Sequence, residues 1–178
     1  MNFDLYDMDR SLQICKGISK HWKVHIRPFP DPLFEASITL FLIRLHHLLM
    51  RADRGGRRLR FADDMPIGFD GDITDLISAA RNAACHSETG RHTRADGTRF
   101  QFITIDGKGR IDVGGIVAEN MYKDDIAIFF GDLRIYVWRH LLRALIEIED
   151  IFRDDLAVLQ SWKANPKSEG TFTARTFP

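Results

Sequence analysis

Apolar residues recur at three- and four-residue steps at the start of the chain. Leu5, Met8, Leu12, Cys15 and Ile18 predict an amphipathic helix over residues 4–20. In the WKVHIRPFP segment that follows, Trp22, Val24 and Ile26 alternate, and the prolines end whatever element forms there. The clearest helix is predicted over 31–52, with Asp31 as N-cap, Pro32 at the first helical position and Gly55-Gly56 as the stop. Its residues Phe34, Ile38, Phe41, Leu42, Leu45 and Leu49 form one stripe, and Leu33, Leu40, Ile43 and Leu48 supply much of a second. A helix apolar over so much of its circumference is expected inside a bundle or against a partner chain. Another helix is predicted to open at Asp72, with Asp75 three residues on as its capping-box partner.

The pattern then changes period. Phe100, Phe102 and Thr104 alternate with Gln101, Ile103 and Ile105, DGKG makes a turn, and RIDVGGIV and DIAIFF are further strand candidates. From Asp132 a helical stripe of Trp138, Leu141, Leu145, Ile148, Phe152, Leu156 and Leu159 runs to about Lys163, with a break expected near Asp154-Asp155. Residues 1–165 are therefore read as one domain and 166–178 as a loosely ordered tail. The fold class expected is mainly α, a helical bundle with a small antiparallel β insertion of two or three strands at about residues 99–130.

Composition narrows the function classes without choosing among them. With 25 basic and 25 acidic residues in 178, bulk charge does not point to nucleic acid, and any polyanion contact must come from local patches. The basic side is 18 arginines against 7 lysines, which favours bidentate phosphate contacts and desolvated ion pairs. Cys15 and Cys85 form no disulfide framework and no CxxC pair. The acidic start MNFDLYDMDR is unlike a signal peptide, and the apolar run ITLFLIRLHHLLM is broken by Arg44, His46 and His47. A soluble, cytoplasmic protein is expected, with no membrane partner.

Candidate chemistry lies in ISAARNAACHSETGRH, residues 77–92. Wound at about 100° per residue, the helix from Asp72 puts Ile73, Leu76, Ile77, Ala80 and Ala84 on a core face. Asn82, Cys85 and His86 fall on the far side, with Arg81 at its edge. Asn82 and His86 are four apart and within hydrogen-bonding reach. Alanines at 79, 80, 83 and 84 allow close approach, and the helix C-terminus favours a protonated His86.

The segment RNAACH reads as R-N-x-x-x-H and resembles the signature of the HEPN superfamily. That resemblance covers the motif helix and, more loosely, the helices at 31–52 and 132–163, and leaves out the β segment. It implies a small α-helical bundle that dimerises so that two copies of the motif meet in one cleft. Many catalytic members are metal-independent ribonucleases of toxin–antitoxin, abortive-infection and CRISPR systems. Carried onto this chain, Arg81 and His86 are catalytic and Asn82 orients them. A histidine takes the 2′-hydroxyl proton or protonates the departing 5′ oxygen, while arginine stabilises charge on the phosphorane oxygens. One histidine cannot easily do both, so a homodimer is expected. A cyclic phosphate and a 5′-hydroxyl would result, with no cofactor. An antitoxin or other regulatory protein is a further expected partner.

Arg51, Arg54, Arg57, Arg58 and Arg60 cluster in RADRGGRRLR. Arg54, Arg57 and Arg58, with Arg91 and Arg94 beyond the motif, are candidate RNA-backbone contacts against the simpler reading of a solvated loop. Arg139 and Arg143 would join them or pair with Glu147. Cys85, His86 and His92 match no common zinc spacing, and no metal is expected. His46-His47 diverge by about 100° on their helix, one read as interfacial and the other exposed; His21, His25 and His140 are read as structural. The alternative function is a non-catalytic helical module that dimerises and binds a partner protein or nucleotide.

Overall fold

A computed structural model describes residues 3–25, 32–85, 102–113, 116–131 and 133–164. Helices α1 (Phe3–His25), α2 (Pro32–Arg54) and α3 (Ile73–Cys85) come first, then strands β1 (Ile103–Asp106), β2 (Gly109–Val113), β3 (Ile116–Asn120), β4 (Ile126–Phe130) and β5 (Leu133–Tyr136). A π-helical segment (Val137–Leu142) leads directly into α4 (Arg143–Ile151), and α5 (Arg153–Ala164) follows. The chain is mainly α with a small antiparallel sheet component.

The helices follow their local signals. Met8, Leu12 and Cys15 of α1 are buried, with Leu5 and Ile18 packed against the core. The helix runs on to His25, so the alternation at Trp22 and Val24 lies on a continuing helix. Trp22 is held there by packing and by its indole N–H, which donates to Ser37 Oγ at 2.9 Å. α2 begins at Pro32, and its Phe34, Ile38, Phe41, Leu42, Leu45, Leu48 and Leu49 are buried. It ends at the glycines: Gly56 takes φ 72°, and the Arg57 amide donates back to the Ala52 carbonyl at 2.8 Å. Counted over its full 23 residues, α2 is long and apolar enough to cross a membrane by length and composition. Its buried stripe is that of a core helix. At the start of α3 the capping box is reciprocal: the Asp75 amide donates to Asp72 Oδ1 at 3.1 Å, and the Asp72 amide to Asp75 Oδ2 at 3.3 Å.

The β region departs most from expectation. Among the described residues five strands form, in a sheet ordered β1-β4-β5 and a separate β2-β3 hairpin, all antiparallel. The DGKG turn therefore does not close a β1-β2 hairpin; it carries the chain from one sheet to the other, with Gly107 at φ 69°. The three-stranded sheet is a layer of the core. Ile126, Ile128, Phe130 and Ile135 pack against the helices, while Ala127, Phe129 and Tyr136 face the other way with Ile105 and Ala118. An aromatic chain, Trp22, Phe34, Phe102 and Phe130, ties α1 and α2 to β1 and β4.

The helix expected from Asp132 begins only at Val137, because Leu133–Tyr136 pairs with β4 instead. The break falls at Phe152, two residues before Asp154; it interrupts the helix while the stripe of Leu141, Leu145, Ile148, Phe152 and Leu159 stays buried across it. Asp31, His86, Arg91, His92, Arg94 and the tail from 166 lie outside the described residues.

Candidate functional site

The level of Arg81 in the bundle is set by a staple at the other end of its helix. Arg58 donates to Asp53 in the last turn of α2 at 2.9 Å, to both carboxylate oxygens of Asp72 at 2.8 and 2.9 Å, and lies 2.7 Å from Asp75. The Thr74 hydroxyl adds a bond to the Leu59 carbonyl at 2.8 Å, and the Ile73 amide one to Phe61 at 2.9 Å. The end of α2 is thus fastened to the start of α3, and the two helices pack antiparallel. Burial disfavours the Asp72 carboxylate, but the Arg58 fork and Asp75 hold it below the usual carboxylate range.

From that staple the register follows. His46 lies seven residues back along α2 from Asp53, roughly 10 Å. Arg81 lies nine residues along α3 from Asp72, roughly 13 Å. α2 and α3 pack on one another, and the Arg81 charge contributes to the electrostatics of His46. Burial first, then Arg81 and then His47, push the His46 imidazole below its ordinary value, which favours the neutral ring at pH 7. His46 is half-buried.

Arg81 donates from one terminal nitrogen to Asn82 Oδ1 at 2.8 Å. Its Nε is buried and finds no acceptor among the described residues. Asn82 thus anchors one side of the guanidinium and leaves donors on the other side free. Arg44 Nε and Arg134 Nε are also buried without an acceptor. Arg134, however, sits over the Tyr136 ring at 5.0 Å, and Arg44 lies near the Cys15 thiol, whose pKa burial pushes up to about 12. Arg81 carries the Asn82 bond beside its unmet Nε. Beyond it, α3 turns Ala80 and Ala83 into the core and ends at an exposed Cys85, one residue before His86. Ala83 takes the core position expected of Ala84, which packs at its edge.

The other candidate residues separate by partner. Arg54 is exposed in the last turn of α2. Arg57 donates to the Ile151 carbonyl at 2.8 Å and to Asp155 at 2.9 Å, and covers the Phe152 ring, so it caps the junction between α4 and α5. Arg58 is committed to its three aspartates. Arg143 pairs with Glu147 at 2.8 Å and with Asp63 at 2.8 Å, and Arg139 with Asp124, Asp125 and Asp64. His47 sits 3.5 Å from Ser11 Oγ and 3.6 Å from Asp7, facing α1.

A second polar cluster was not expected from the sequence. Asp125, fully buried, accepts from the amides of Ile126 and Trp138 at 2.8 Å and of Arg139 at 3.0 Å, and from the Arg139 guanidinium at 3.2 Å. It caps the π-helical segment from 12 residues before Val137. His140, also fully buried, accepts from the Tyr136 amide at Nδ1 (3.1 Å) and donates from Nε2 to the Asp63 carbonyl (3.0 Å). Asp64, in the left-handed region at φ 59°, takes the Tyr122 hydroxyl, and Arg139 lies 3.6 Å over the Tyr122 ring.

Comparison of the chain with protein-family models, with curated proteins and with solved structures finds no match. Functional argument therefore starts from the residues themselves.

Proposed function

We propose that this chain is a metal-independent endoribonuclease of HEPN type, with Arg81 and His86 catalytic and Asn82 positioning the arginine. The observation that carries the reading is the state of Arg81. Its guanidinium is fixed by Asn82 on one side and keeps a buried Nε donor unused on the other. A guanidinium held in place with donors to spare suits charge that gathers on phosphorane oxygens in the transition state. Arg54, exposed on the same helix pair, is the RNA-backbone contact with its charge least engaged; Arg57 and Arg58 could add only a share of theirs, and Arg91 and Arg94 complete the proposed set. A homodimer that places two sites in one cleft, a cytoplasmic toxin or phage-defence role, and a neutralising protein partner belong to the same proposal. The test is cleavage of structured and single-stranded RNA in EDTA by wild type, Arg81→Ala and His86→Ala. Cleavage leaving 2′,3′-cyclic phosphate ends, lost in both variants, is expected; an inert wild type rejects the reading.

One observation favours the second reading, a non-catalytic module that dimerises or holds a partner protein. The second apolar stripe of α2 leaves Leu33 77% and Leu40 41% exposed, beside a groove lined by Pro32, Glu35, Ala36, Thr39, Leu40 and Ile43. Leu40→Glu would abolish self-association or partner capture on that reading while leaving the Arg81 site intact, as sedimentation would show.

A further inference from the structure

We infer that two copies of this chain associate through the outward face of α2, packed antiparallel so that Glu35 of each copy lies beside the partner's Arg54. The inference rests on the homodimer of the proposed function and adds to it the surface, the orientation and the charge pair. α2 carries two stripes. One is the core stripe of Phe34, Ile38, Phe41, Leu42, Leu45 and Leu49. The other runs Leu33, Ala36, Leu40, Ile43, then Met50 and Arg54, at steps of three, four and seven residues, and none of the six is buried. Leu40 is 41% exposed at its centre. Such a line keeps to one side of a helix, over about 32 Å here, and is the seam along which two helices pack.

Charge selects the occupant. Glu35, in the first turn of α2, lines the same groove as Leu40 and Ile43, and Arg54 stands exposed in the last turn. Arg51, near that end, is already met by Asp4 at 3.7 Å. The seam therefore has an acidic end, an apolar middle and a basic end. A partner helix of one sign is repelled at one end or the other. A second copy turned end for end matches both ends at once, as a two-fold interface requires. Glu35 and Arg54 are 19 residues apart, so the two-fold axis falls level with Arg44 and Leu45. There Ile43 approaches its own copy, and Leu40 packs toward the partner's Met50. Arg44, half-buried, also nears its own copy, so a micromolar dimer is expected rather than a permanent one. In this arrangement Arg54 serves the interface, and the RNA contacts of the proposed function rest on the other arginines.

The experiment is sedimentation of the full chain from low to high micromolar concentration, with RNA cleavage in EDTA scored separately. Wild type is compared with Leu40→Glu, Glu35→Arg, Arg54→Glu and the double variant Glu35→Arg/Arg54→Glu, all at exposed positions. Leu40→Glu is expected to weaken the dimer at least about 100-fold. Each single reversal sets like charges together twice and should weaken it at least about tenfold. The double variant restores opposite pairs and should return to within about threefold of wild type. A wild type that is monomeric throughout overturns the inference and the homodimer with it. A dimer that Leu40→Glu leaves intact uses another face, so the inference falls and the homodimer stands. A dimer lost in Leu40→Glu but not recovered in the double variant overturns the antiparallel pairing. A wild type that dimerises in the expected pattern yet cleaves no RNA upholds the inference and removes the nuclease.

Discussion

The surroundings of Asp125 and those of Arg81 are both polar clusters set against a hydrophobic core, yet they are completed to different degrees. Asp125 receives four hydrogen bonds, both nitrogens of His140 are occupied, and the buried Asn120 donates to the carbonyls of Ile105 and Asp125 while accepting from the Tyr122 amide. Arg81 has one bond to its neighbour and an idle Nε. Polar groups that hold a fold together are mostly met, because an unmet donor or acceptor in the interior costs about 1–3 kcal/mol; the buried Tyr136 hydroxyl beside His140 is the unmet group on this side. Groups left incomplete cost stability and persist where something else completes them. On the nuclease proposal, the difference separates a cluster that builds the fold from one that a ligand would complete.

The contrast can be broken from either side. Asp125→Ala leaves three amides and the Arg139 guanidinium without their acceptor, and should cost about 3–5 kcal/mol in urea unfolding, the range for removing one partner of a buried ion pair. A loss under about 1 kcal/mol would mean that the π-helical segment does not depend on this cap. Arg58→Leu, which leaves Asp53, Asp72 and Asp75 facing one another at a partly solvated staple, should cost about 2 kcal/mol by the same measurement.

The saturated cluster also has a pH signature. Burial pushes the His140 imidazole below its ordinary value of 6.5, against smaller opposing contributions from the Asp63 carbonyl and from Asp64 and Asp125. The unfolded chain therefore binds a proton that the folded chain resists. Stability should be level above pH 6.5 and decline as pH falls below it, by up to about 1.4 kcal/mol per pH unit from this one group. His140→Gln should flatten that decline in unfolding curves recorded between pH 5 and 7. An unchanged slope would assign the effect elsewhere. His46, lowered in the same direction but more exposed, adds a smaller share of the same sign. The smallest effect is expected at the incomplete cluster: Arg81→Ala should shift unfolding by no more than about 0.5 kcal/mol while abolishing RNA cleavage. A large loss of stability would return Arg81 to the structural class.

The site was half legible in the sequence. RNAACH drew attention to Arg81 and Asn82 because the pattern is local and the helix around it is simple. The sequence puts one of His46 and His47 at an interface and the other in solvent, and nothing local says which. The tertiary structure separates them: His47 reaches Ser11 and Asp7 on α1, and the Arg81 charge on α3 acts on His46. A long-range staple fixed by Arg58 holds α2 to α3, and no spacing within α2 reports it.

By itself the sequence determined the elements whose causes lie within a few residues. Pro32 and Gly56 bound α2, Asp72 and Asp75 cap α3, and the stripes of α1, α2 and α4 bury as their period requires, because helical hydrogen bonds and caps reach only three to five residues along the chain. Leu133–Tyr136 continues a helical stripe in sequence but becomes a strand, and α1 absorbs an alternating segment that suggested one. There the tertiary structure decided. β4 offered β5 a ladder of backbone partners and a buried face, Asp125 capped the next helix from 12 residues before it, and Trp22 found Phe34 and Phe41 across the α1–α2 contact. Such bonds and contacts join residues distant in the chain, so their free energy is absent from any local pattern and overrides local preference once the core closes.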